Sequence, residues 1–451
     1  MMTRVLVPAG ALGLGFDPKA LARGISLSPD IIAIDGGSTD SGPAYLGRGQ
    51  SKYSRSSTKS EWAKLIEARQ TARCPLIIGT AGTCGTNATV DWLYDITCEI
   101  LTERGWSAKI ARLYCEQSQT YIAHSFQTGQ VTPLSAAPDL SEDIIVSCTN
   151  IVALAGVEQI QSALSHGPDI IIAGRTTDTA IIAALPIQNQ DHLGGAWHGA
   201  KIGECGALCS TNPMSGVVLI DFDATGFTIQ PMAQGAICTP HTVSAHMLYE
   251  NANPFQLYEP GGYLDVTTAI YTQVDTTSVR VEGSIWTASP EYTVKLEGAR
   301  NVGYQTVSMV TLRDPVYVSQ IDAWCGSILK HLNHQIETQT GIEKSDYTIE
   351  LRQIGRNGTL GALEADPRIP SEVGIVGIIT ATSQALANEI AKMLNPFLLH
   401  HPLTKNEPMP TFAFPFSPPE MERGAAYEFC LNHVLQLNDP MDAFEIVVTD
   451  V

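Results

Sequence analysis

Polar loops rich in Gly, Ser, Thr and Asp follow short apolar runs four times within the first 180 residues, and a helical pattern follows each loop. The apolar runs predict strands over 31–34, 75–78, 143–146 and 169–173. In open α/β sheets, ligands bind beyond the carboxyl ends of the strands, so we expect the loop side chains to converge on one polar cleft. The predicted cleft residues are Ser38, Asp40, Thr80, Thr83, Asn150, Arg175 and Asp178.

The first and the last of these loops carry the residues best suited to acid–base chemistry and to anion binding. Asp40 is a candidate general base, a candidate Mg²⁺ ligand or a hydrogen-bond anchor of its loop, because a carboxylate serves all three purposes. Arg175 has the geometry of a bidentate clamp for a substrate carboxylate. The alternative for Arg175 is a structural ion pair with Asp178, which is otherwise a candidate catalytic carboxylate.

Two glycine-rich loops have the composition of anion-binding turns. Residues 79–85 lead into a helix whose N-terminal N–H groups favour negative charge, so Thr80, Gly82 and Thr83 are candidate ligands of a phosphate or carboxylate. The alternative is a tight turn needed only for packing. The loop after the first strand has glycines at 10, 13 and 15, and these gaps differ from the dinucleotide fingerprint. The sequence therefore carries no nicotinamide or flavin fingerprint, and it leaves Mg²⁺ as an open alternative.

The segments 203–206 and 240–243 flank the junction between two predicted domains, and ligand sites favour such junctions. Glu204 and His241 are candidate acid–base residues, because burial and neighbouring charges tune both side chains toward neutral pH. Cys205 is a candidate substrate-binding residue or nucleophile, although no activating base lies near it in the sequence. Cys209 follows closely, but a second Cys/His pair at zinc-site spacing is missing, so no metal-ligand set is predicted.

The elements that must position these residues predict an α/β fold. Strands alternate with helices up to residue 215, including a strand over 109–114 and a helix over 157–165. This alternation favours right-handed βαβ units in a mostly parallel, doubly wound sheet. After residue 216, a hairpin with a glycine turn and a series of further strands and helices predict a second, α+β domain over 216–451.

Composition narrows the classes of function. The 451 residues have a formal net charge of −19, which disfavours nonspecific binding of nucleic acid or of an anionic membrane. No apolar run reaches the roughly 20 residues of a membrane span, and the first residues lack a signal-peptide pattern. Ten scattered cysteines fit a reducing compartment. We therefore expect a cytoplasmic protein that forms a homo-oligomer, as many metabolic enzymes do.

Six motifs spread over nearly the whole chain form a further pattern. They occupy residues 35–47 (DGGSTDSGPAYLG), 75–82 (PLIIGTAG), 172–178 (IAGRTTD), 203–206 (GECG), 240–243 (PHTV) and 415–419 (PFSPP). In this order they resemble the acyclic terpene utilisation AtuA-like family. Founding members belong to operons for citronellol and geraniol catabolism, so the resemblance implies metabolism of branched carboxylic acids or their CoA thioesters. Some members carry a small extra domain or pair with it as a separate chain, so the resemblance also implies a small partner chain.

The leading functional hypothesis is a lyase, either a hydro-lyase or a carbon–carbon lyase, that moves a proton alpha to a carboxyl or thioester group. Arg175 and the loop 79–85 would hold the anionic part of a small substrate. Asp40, Asp178, Glu204 and His241 form the candidate acid–base set. One alternative is a noncatalytic, acyl-CoA-binding or partner-dependent subunit. The other is an oxidoreductase, which the glycine spacing disfavours.

Overall fold

The computed structural model describes residues 2–365, 368–410 and 412–451. The chain forms two compact units: unit 1 is Met1–Arg300 with Phe429–Val451, and unit 2 is Asn301–Glu428. All residues predicted for the site belong to unit 1. Among the described residues, no helix combines the length and the apolar content that crossing a membrane requires.

The described strands and helices account for both units. The strands are β1 (Thr3–Val7), β2 (Ile31–Asp35), β3 (Leu76–Gly79), β4 (Lys109–Tyr114), β5 (Val131–Pro133), β6 (Cys148–Ala153), β7 (Ile170–Ala173), β8 (Val218–Phe222), β9 (Gly226–Pro231), β10 (Gln256–Glu259), β11 (Gly262–Asp265), β12 (Ile270–Gln273), β13 (Val279–Glu282), β14 (Ile285–Ala288), β15 (Tyr292–Leu312), β16 (Tyr347–Ile354), β17 (Val373–Ala381), β18 (Phe412–Ala413), β19 (Glu420–Leu437) and β20 (Glu445–Asp450). The α-helices are α1 (Pro18–Ser26), α2 (Ala44–Arg48), α3 (Arg55–Ala72), α4 (Asn87–Arg104), α5 (Gln119–Gln127), α6 (Glu142–Ser147), α7 (Val157–Ser165), α8 (Ala180–Gln188), α9 (Leu193–Gly203), α10 (Pro240–Ala245), α11 (Pro315–Ser319), α12 (Ile321–Gln339) and α13 (Gln384–His400).

The main sheet of unit 1 is mixed rather than mostly parallel. Its order in the described chain is β12-β13-β9-β8-β1-β2-β3-β7-β4-β20. The central strands β1, β2, β3, β7 and β4 pair in parallel, whereas β8, β9, β13 and β12 on one side and β20 on the other pair antiparallel. The predicted α/β class is confirmed, with a parallel centre and antiparallel flanks.

Helices cover both faces of this sheet, as expected for a doubly wound arrangement. Alternate residues of each central strand enter different cores: in β1, Val5 packs with one and Leu6 with the other. The first core takes residues of α7, α8 and α9, and the second takes residues of α1, α3 and α4. Burial on both faces explains why β2, β3 and β7 consist of nearly uninterrupted Ile, Leu, Ala and Val side chains.

The predicted strand over 143–146 is wrong, because these residues belong to helix α6. The side chain of Ser141 accepts a hydrogen bond from the backbone N–H of Ile144, and Glu142 and Asp143 occupy the first turn, where the helix dipole favours carboxylates. Periodicity alone does not separate so short an apolar run from a buried helix. The strand in this region is β6, and it pairs antiparallel with the first part of β15.

The structure divides the chain differently from the predicted boundary between residues 215 and 216. Strands β8 and β9 form the predicted hairpin, but the main-chain hydrogen bonds between β8 and β1 join this hairpin to the main sheet. Further along the chain, β20 pairs with β4 at the opposite edge. Segments on both sides of residue 215 therefore share the cores of one sheet.

Two smaller groups of strands complete unit 1. Strands β10, β11 and β14 form an antiparallel sheet, and β11 pairs with both of its neighbours. Residues 433–435 of β19 pair antiparallel with β5. In unit 2, residues 304–312 of β15 pair with β17, and β17 also pairs with β16. Helices α11, α12 and α13 supply the hydrophobic core of unit 2.

Gly36 follows β2 directly and allows a close approach of two backbones. A Cβ atom on this residue would lie 2.3 Å from the carbonyl oxygen of Thr80 and 2.8 Å from that of Gly79. We expect Gly36→Ala to lower the free energy of unfolding by about 1–3 kcal/mol, because one of the two backbone segments must move. Urea denaturation followed by circular dichroism measures this change.

Gly326 of α12 provides the control for this substitution. It is exposed, and no atom lies within 4 Å of the position that its Cβ would take. Alanine has a higher helix propensity than glycine, so we expect Gly326→Ala to leave the stability unchanged or raise it by up to about 1 kcal/mol. Equal stabilities of the two variants would contradict the close-approach argument.

Candidate functional site

A cleft of about 390 Å³ opens in unit 1 at the ends of the central strands. Its walls include residues from the loops that follow β1, β2 and β7. Four of the predicted site residues line it: Ser38, Asp40, Asp178 and Cys205. The other charged and phenolic lining residues are Asp35, Lys52, Tyr53, Tyr249 and Glu250.

Asp35 is the last residue of β2 and the most deeply buried carboxyl group of the cleft, at 4% exposure. Its Oδ2 accepts a hydrogen bond of 2.7 Å from the backbone N–H of Gly37, whereas the buried Oδ1 has no partner among the described residues. Burial raises the pKa of Asp35 well above its usual range, and the charge of Asp178 adds to this effect. The carboxyl group of Asp35 is therefore held in its neutral form.

Asp178 lies between β7 and α8. Burial raises the pKa of its carboxyl group, but the nearby charges of Arg175 and Lys201 oppose this shift. Asp178 is therefore better compensated as an anion than Asp35, which has a single opposing side-chain charge, that of Arg175. The cleft thus contains two interacting carboxyl groups in different environments, a condition that separates an acid from a base.

Ser38 and Asp40 occupy the outer part of the loop after β2. The hydroxyl group of Ser38 donates a hydrogen bond of 2.7 Å to Oδ2 of Asp40, and Asp40 itself is exposed. This bond matches the loop-anchor interpretation of Asp40. Its position at the exposed rim makes it less suited than Asp35 or Asp178 to hold a proton away from water.

Glu204 follows α9 and is 8% exposed. The ammonium group of Lys201, one turn earlier in the chain, donates a hydrogen bond to Oε1 of Glu204. Burial raises the pKa of Glu204 to about 8, against the opposing charge of Lys201. Lys201 was not predicted as a site residue, although its i,i+3 spacing to Glu204 was visible in the sequence.

The structure contradicts the choice of His241 and places another histidine beside Glu204 and Cys205. His241 is exposed on α10, whereas His246 is 4% exposed. One ligand atom each from Glu204, Cys205 and His246 lie within 4.8 Å of one another. No local pattern distinguishes His246 from His241, because the fold alone brings α9 and the end of α10 together. These three residues could hold a metal ion.

Arg175 does not clamp a substrate carboxylate in this structure, and its partner is not Asp178. Its guanidinium group donates from Nε to Oε2 of Glu297 at 3.0 Å and from Nη2 to Oε1 at 3.2 Å. Both side chains are less than 10% exposed. The attraction of Arg175 outweighs the effect of burial and lowers the pKa of Glu297 to about 2. Glu297 lies on β15, 122 positions away, so sequence spacing could not identify it.

The glycine-rich loop 79–85 is buried in the described structure. Thr80, Gly82 and Thr83 lie inside this turn and do not line the cleft. The Thr80 hydroxyl accepts a hydrogen bond of 3.2 Å from Nη1 of Arg175. At the start of α4, the backbone N–H of Asn87 donates to the carboxylate of Glu116 at 2.8 Å. The packing alternative thus describes this loop, and an anion already present at the helix start belongs to the chain itself.

The first glycine loop is also occupied by a carboxylate of the chain. The backbone N–H groups of Gly13 and Gly15 donate to Oε2 and Oε1 of Glu61 at 2.6 and 2.9 Å. Asn150 is likewise engaged in structure, since it lies within β6 and its side-chain amide donates to the carbonyl oxygens of Leu46 and Gly47 at the end of α2. Asn150 is therefore not a strand-end ligand.

Glu259 is a buried acid that sequence reasoning did not single out. It ends β10, and its Oε1 accepts a hydrogen bond from Thr179, the residue after Asp178. Its Oε2 is buried without a partner among the described residues, and burial raises its pKa to about 7. Asp178 is thus surrounded by acids, because the nearby charge of Glu259 is joined by those of Glu250 and Asp40.

A second cavity, of about 550 Å³, lies in unit 2 against α12 and α13. It is lined by Gln335, Glu389, Lys392, Met393, Pro396, Phe397, His400 and His401. None of the predicted site residues belongs to it. The carboxyl pair, the neighbouring Glu204 group and the strand ends all favour the unit 1 cleft as the functional site.

Comparison with known proteins gives one match. The profile of the family described as acyclic terpene utilisation family protein AtuA matches residues 48–411. The chain belongs to this family. The matched range of the AtuA profile includes Asp178, Glu204 and His246, and it begins after Asp35. No curated protein and no solved structure matches the chain.

Proposed function

We propose that this AtuA-family chain is a hydro-lyase that adds and removes water across the α,β bond of an acyl thioester. The observation that carries the proposal is the pair of interacting carboxyl groups, Asp35 and Asp178, facing one cleft at the ends of two parallel strands. Enzymes separate an acid from a base by giving two carboxyl groups different environments. Asp35 and Asp178 have such environments.

Burial and charge assign the two roles. Asp35 is the acid, because it is the more deeply buried group and its Oδ1 lacks a partner that would stabilise an anion. Asp178 is the base, because Arg175 and Lys201 both favour its ionised form. A neutral acid and an ionised base are thus present together near neutral pH.

The reaction follows from these roles. In dehydration, Asp178 takes the proton from the α carbon, and the electron pair of the broken C–H bond forms the C=C bond. The C–O bond at the β carbon breaks as Asp35 protonates the departing hydroxyl group, which leaves as water. In hydration the same proton transfers run in reverse, so neither direction needs a redox cofactor.

The charge of the cleft favours a thioester over a free carboxylic acid. Four carboxyl side chains line it (Asp35, Asp40, Asp178 and Glu250), against one lysine, Lys52. A free carboxylate would meet this excess of negative charge, whereas the acyl end of a thioester is neutral. Leu14, Leu208 and Met214 add partly exposed apolar surface at the lining, which suits a branched acyl chain.

The test incubates the purified protein in deuterated water with straight and branched 2-enoyl-CoA thioesters and with the matching free acids. We expect the enoyl-thioester absorbance to fall and mass spectrometry to find one deuterium on the α carbon of the 3-hydroxyacyl product. Asp178→Asn should slow this reaction by about 10²–10⁴-fold, because it removes the base.

Asp139→Asn is the matched control, because Asp139 is an exposed aspartate in the same unit and the substitution makes the same change of charge. We expect it to leave turnover unchanged. Turnover of the free acids alone would refute the thioester assignment. Binding of the thioesters without turnover or deuterium incorporation would refute the hydro-lyase and support a noncatalytic subunit.

A further inference from the structure

We propose that Glu204, Cys205 and His246 form a binding site for a divalent transition-metal ion, with Zn²⁺ as the best match. One ligand atom from each side chain lies within 4.8 Å of the other two. A tetrahedral zinc ion with bonds of about 2.0–2.3 Å holds its ligand atoms about 3.3–3.8 Å apart. Side-chain movements on the order of 1 Å would therefore close the set around an ion.

His246 supplies the independent sign of a missing ligand. It is 4% exposed, and its Nε2 is buried without a hydrogen-bond partner among the described residues. His198, the fully buried histidine of α9, shows the contrast: its Nδ1 lies 2.7 Å from the hydroxyl of Ser284 and its Nε2 lies 3.1 Å from that of Tyr271. A buried, unpaired ring nitrogen is costly, and coordination of a metal would remove this cost.

The surrounding charges favour a cation. Around the Cys205 thiol lie the carboxyl groups of Asp178, Glu204 and Glu250, whereas Lys201 is the one cation among its main electrostatic neighbours. Lys201 donates to Oε1 of Glu204, so this carboxylate would be shared between the ammonium group and the ion. A bound ion also favours the thiolate form of Cys205, the form in which cysteine coordinates metals.

The chemistry of the donors selects the metal. A thiolate, an imidazole and a carboxylate suit zinc better than Mg²⁺ or Ca²⁺, which take oxygen ligands. Three protein ligands leave a fourth position free, as in catalytic zinc sites. Cys205 lines the cleft, so this position would face the same space as Asp178. An ion there could polarise a substrate oxygen and supply the positive charge that Arg175 does not offer.

The experiment measures metal binding directly and does not depend on the proposed reaction. The full chain, treated with a chelator and then freed of it, is titrated with Co²⁺ as a spectroscopic substitute for Zn²⁺. We expect visible d–d bands and a near-ultraviolet thiolate-to-cobalt band that saturate at one ion per chain, and we expect Zn²⁺ to displace both. Cys205→Ser should abolish the thiolate band, and His246→Asn should weaken binding by at least about 100-fold.

The controls are Cys98→Ser, which changes another partly exposed cysteine, and His241→Asn, which changes an exposed histidine five positions from His246. Both should bind Co²⁺ as the unchanged chain does. Circular dichroism checks that the variants are folded, and the conservative Cys205→Ser exchange keeps the test valid if His246→Asn unfolds. Absence of a thiolate band in the unchanged chain, or its persistence in Cys205→Ser, would overturn the proposal.

Discussion

Replacing Arg175 by methionine should lower the free energy of unfolding by about 3–5 kcal/mol, because the variant leaves Glu297 buried without its bidentate partner. The thioether fills much of the space of the arginine stem, so the loss reports the uncompensated charge more than a cavity. Urea denaturation followed by circular dichroism provides the measurement. A loss below about 1 kcal/mol would contradict the role of this buried pair.

The pH dependence separates the lost ion pair from lost packing. Because the folded pKa of Glu297 is lowered to about 2, its ionised form contributes stability above its unfolded pKa of about 4.3. This contribution disappears as the pH falls through about 2. We therefore expect the difference between Arg175→Met and the unchanged chain to shrink below pH 4.3, whereas a packing defect would be independent of pH.

Arg104 provides the control for this experiment. It is half exposed, and its guanidinium group lies 3.9 Å from the carboxylate of Glu67, which is exposed as well. Surface ion pairs contribute up to about 1 kcal/mol. Arg104→Met should therefore change the stability by less than that amount, and a larger loss would show that methionine at an arginine position is itself disruptive.

Asp35→Asn should slow turnover by about 10²–10⁴-fold and at the same time stabilise the fold at neutral pH. Turnover falls because the amide does not donate a proton to the leaving hydroxyl group. Stability rises because the variant removes a buried acid that interacts unfavourably with Asp178. Thermal unfolding and the thioester assay, applied to the same preparation, measure both effects, and Asp139→Asn should change neither.

The sign of the stability effect follows from the raised pKa. The unfolded chain releases the proton of Asp35 near pH 3.9, whereas the folded chain keeps it to a higher pH. Between these two values the unchanged chain loses about 1.4 kcal/mol of stability per pH unit. We therefore expect the advantage of Asp35→Asn to grow from pH 4 upward. A constant advantage, or a loss of stability at pH 7, would contradict the buried neutral carboxyl group.

The predictable parts of the fold are those with strong local patterns. The strand over 109–114 and the helix over 157–165 have the predicted bounds, because hydrophobic spacing and neighbouring turns define them locally. The short run at 143–146 has no decisive period, and the N-cap at Ser141 makes it a helix. The long strand β19 and strand β20 were not predicted, because their position depends on partners far away in the sequence.

The candidate site was predictable only in outline. Strand-end loops identified the cleft residues Ser38, Asp40 and Asp178, since parallel strands bring their carboxyl ends to one edge of a sheet. The partner of Arg175 was hidden by its distance along the chain, and His246 by the absence of any local mark. Asp35 ends an apolar strand and was visible, but its importance depends on burial, which composition does not reveal.

The pairing of β20 with β4 has a consequence for the order in which the protein can assemble during synthesis. The strands that form the cleft emerge from the ribosome early, but unit 1 is completed only by residues 429–451, after the 128 residues of unit 2 (301–428) have been made. Until then the backbone N–H and C=O groups along the outer edge of β4 lack their final partner. Unpaired strand edges favour aggregation, so this edge is the place where a holding chaperone would protect the nascent chain.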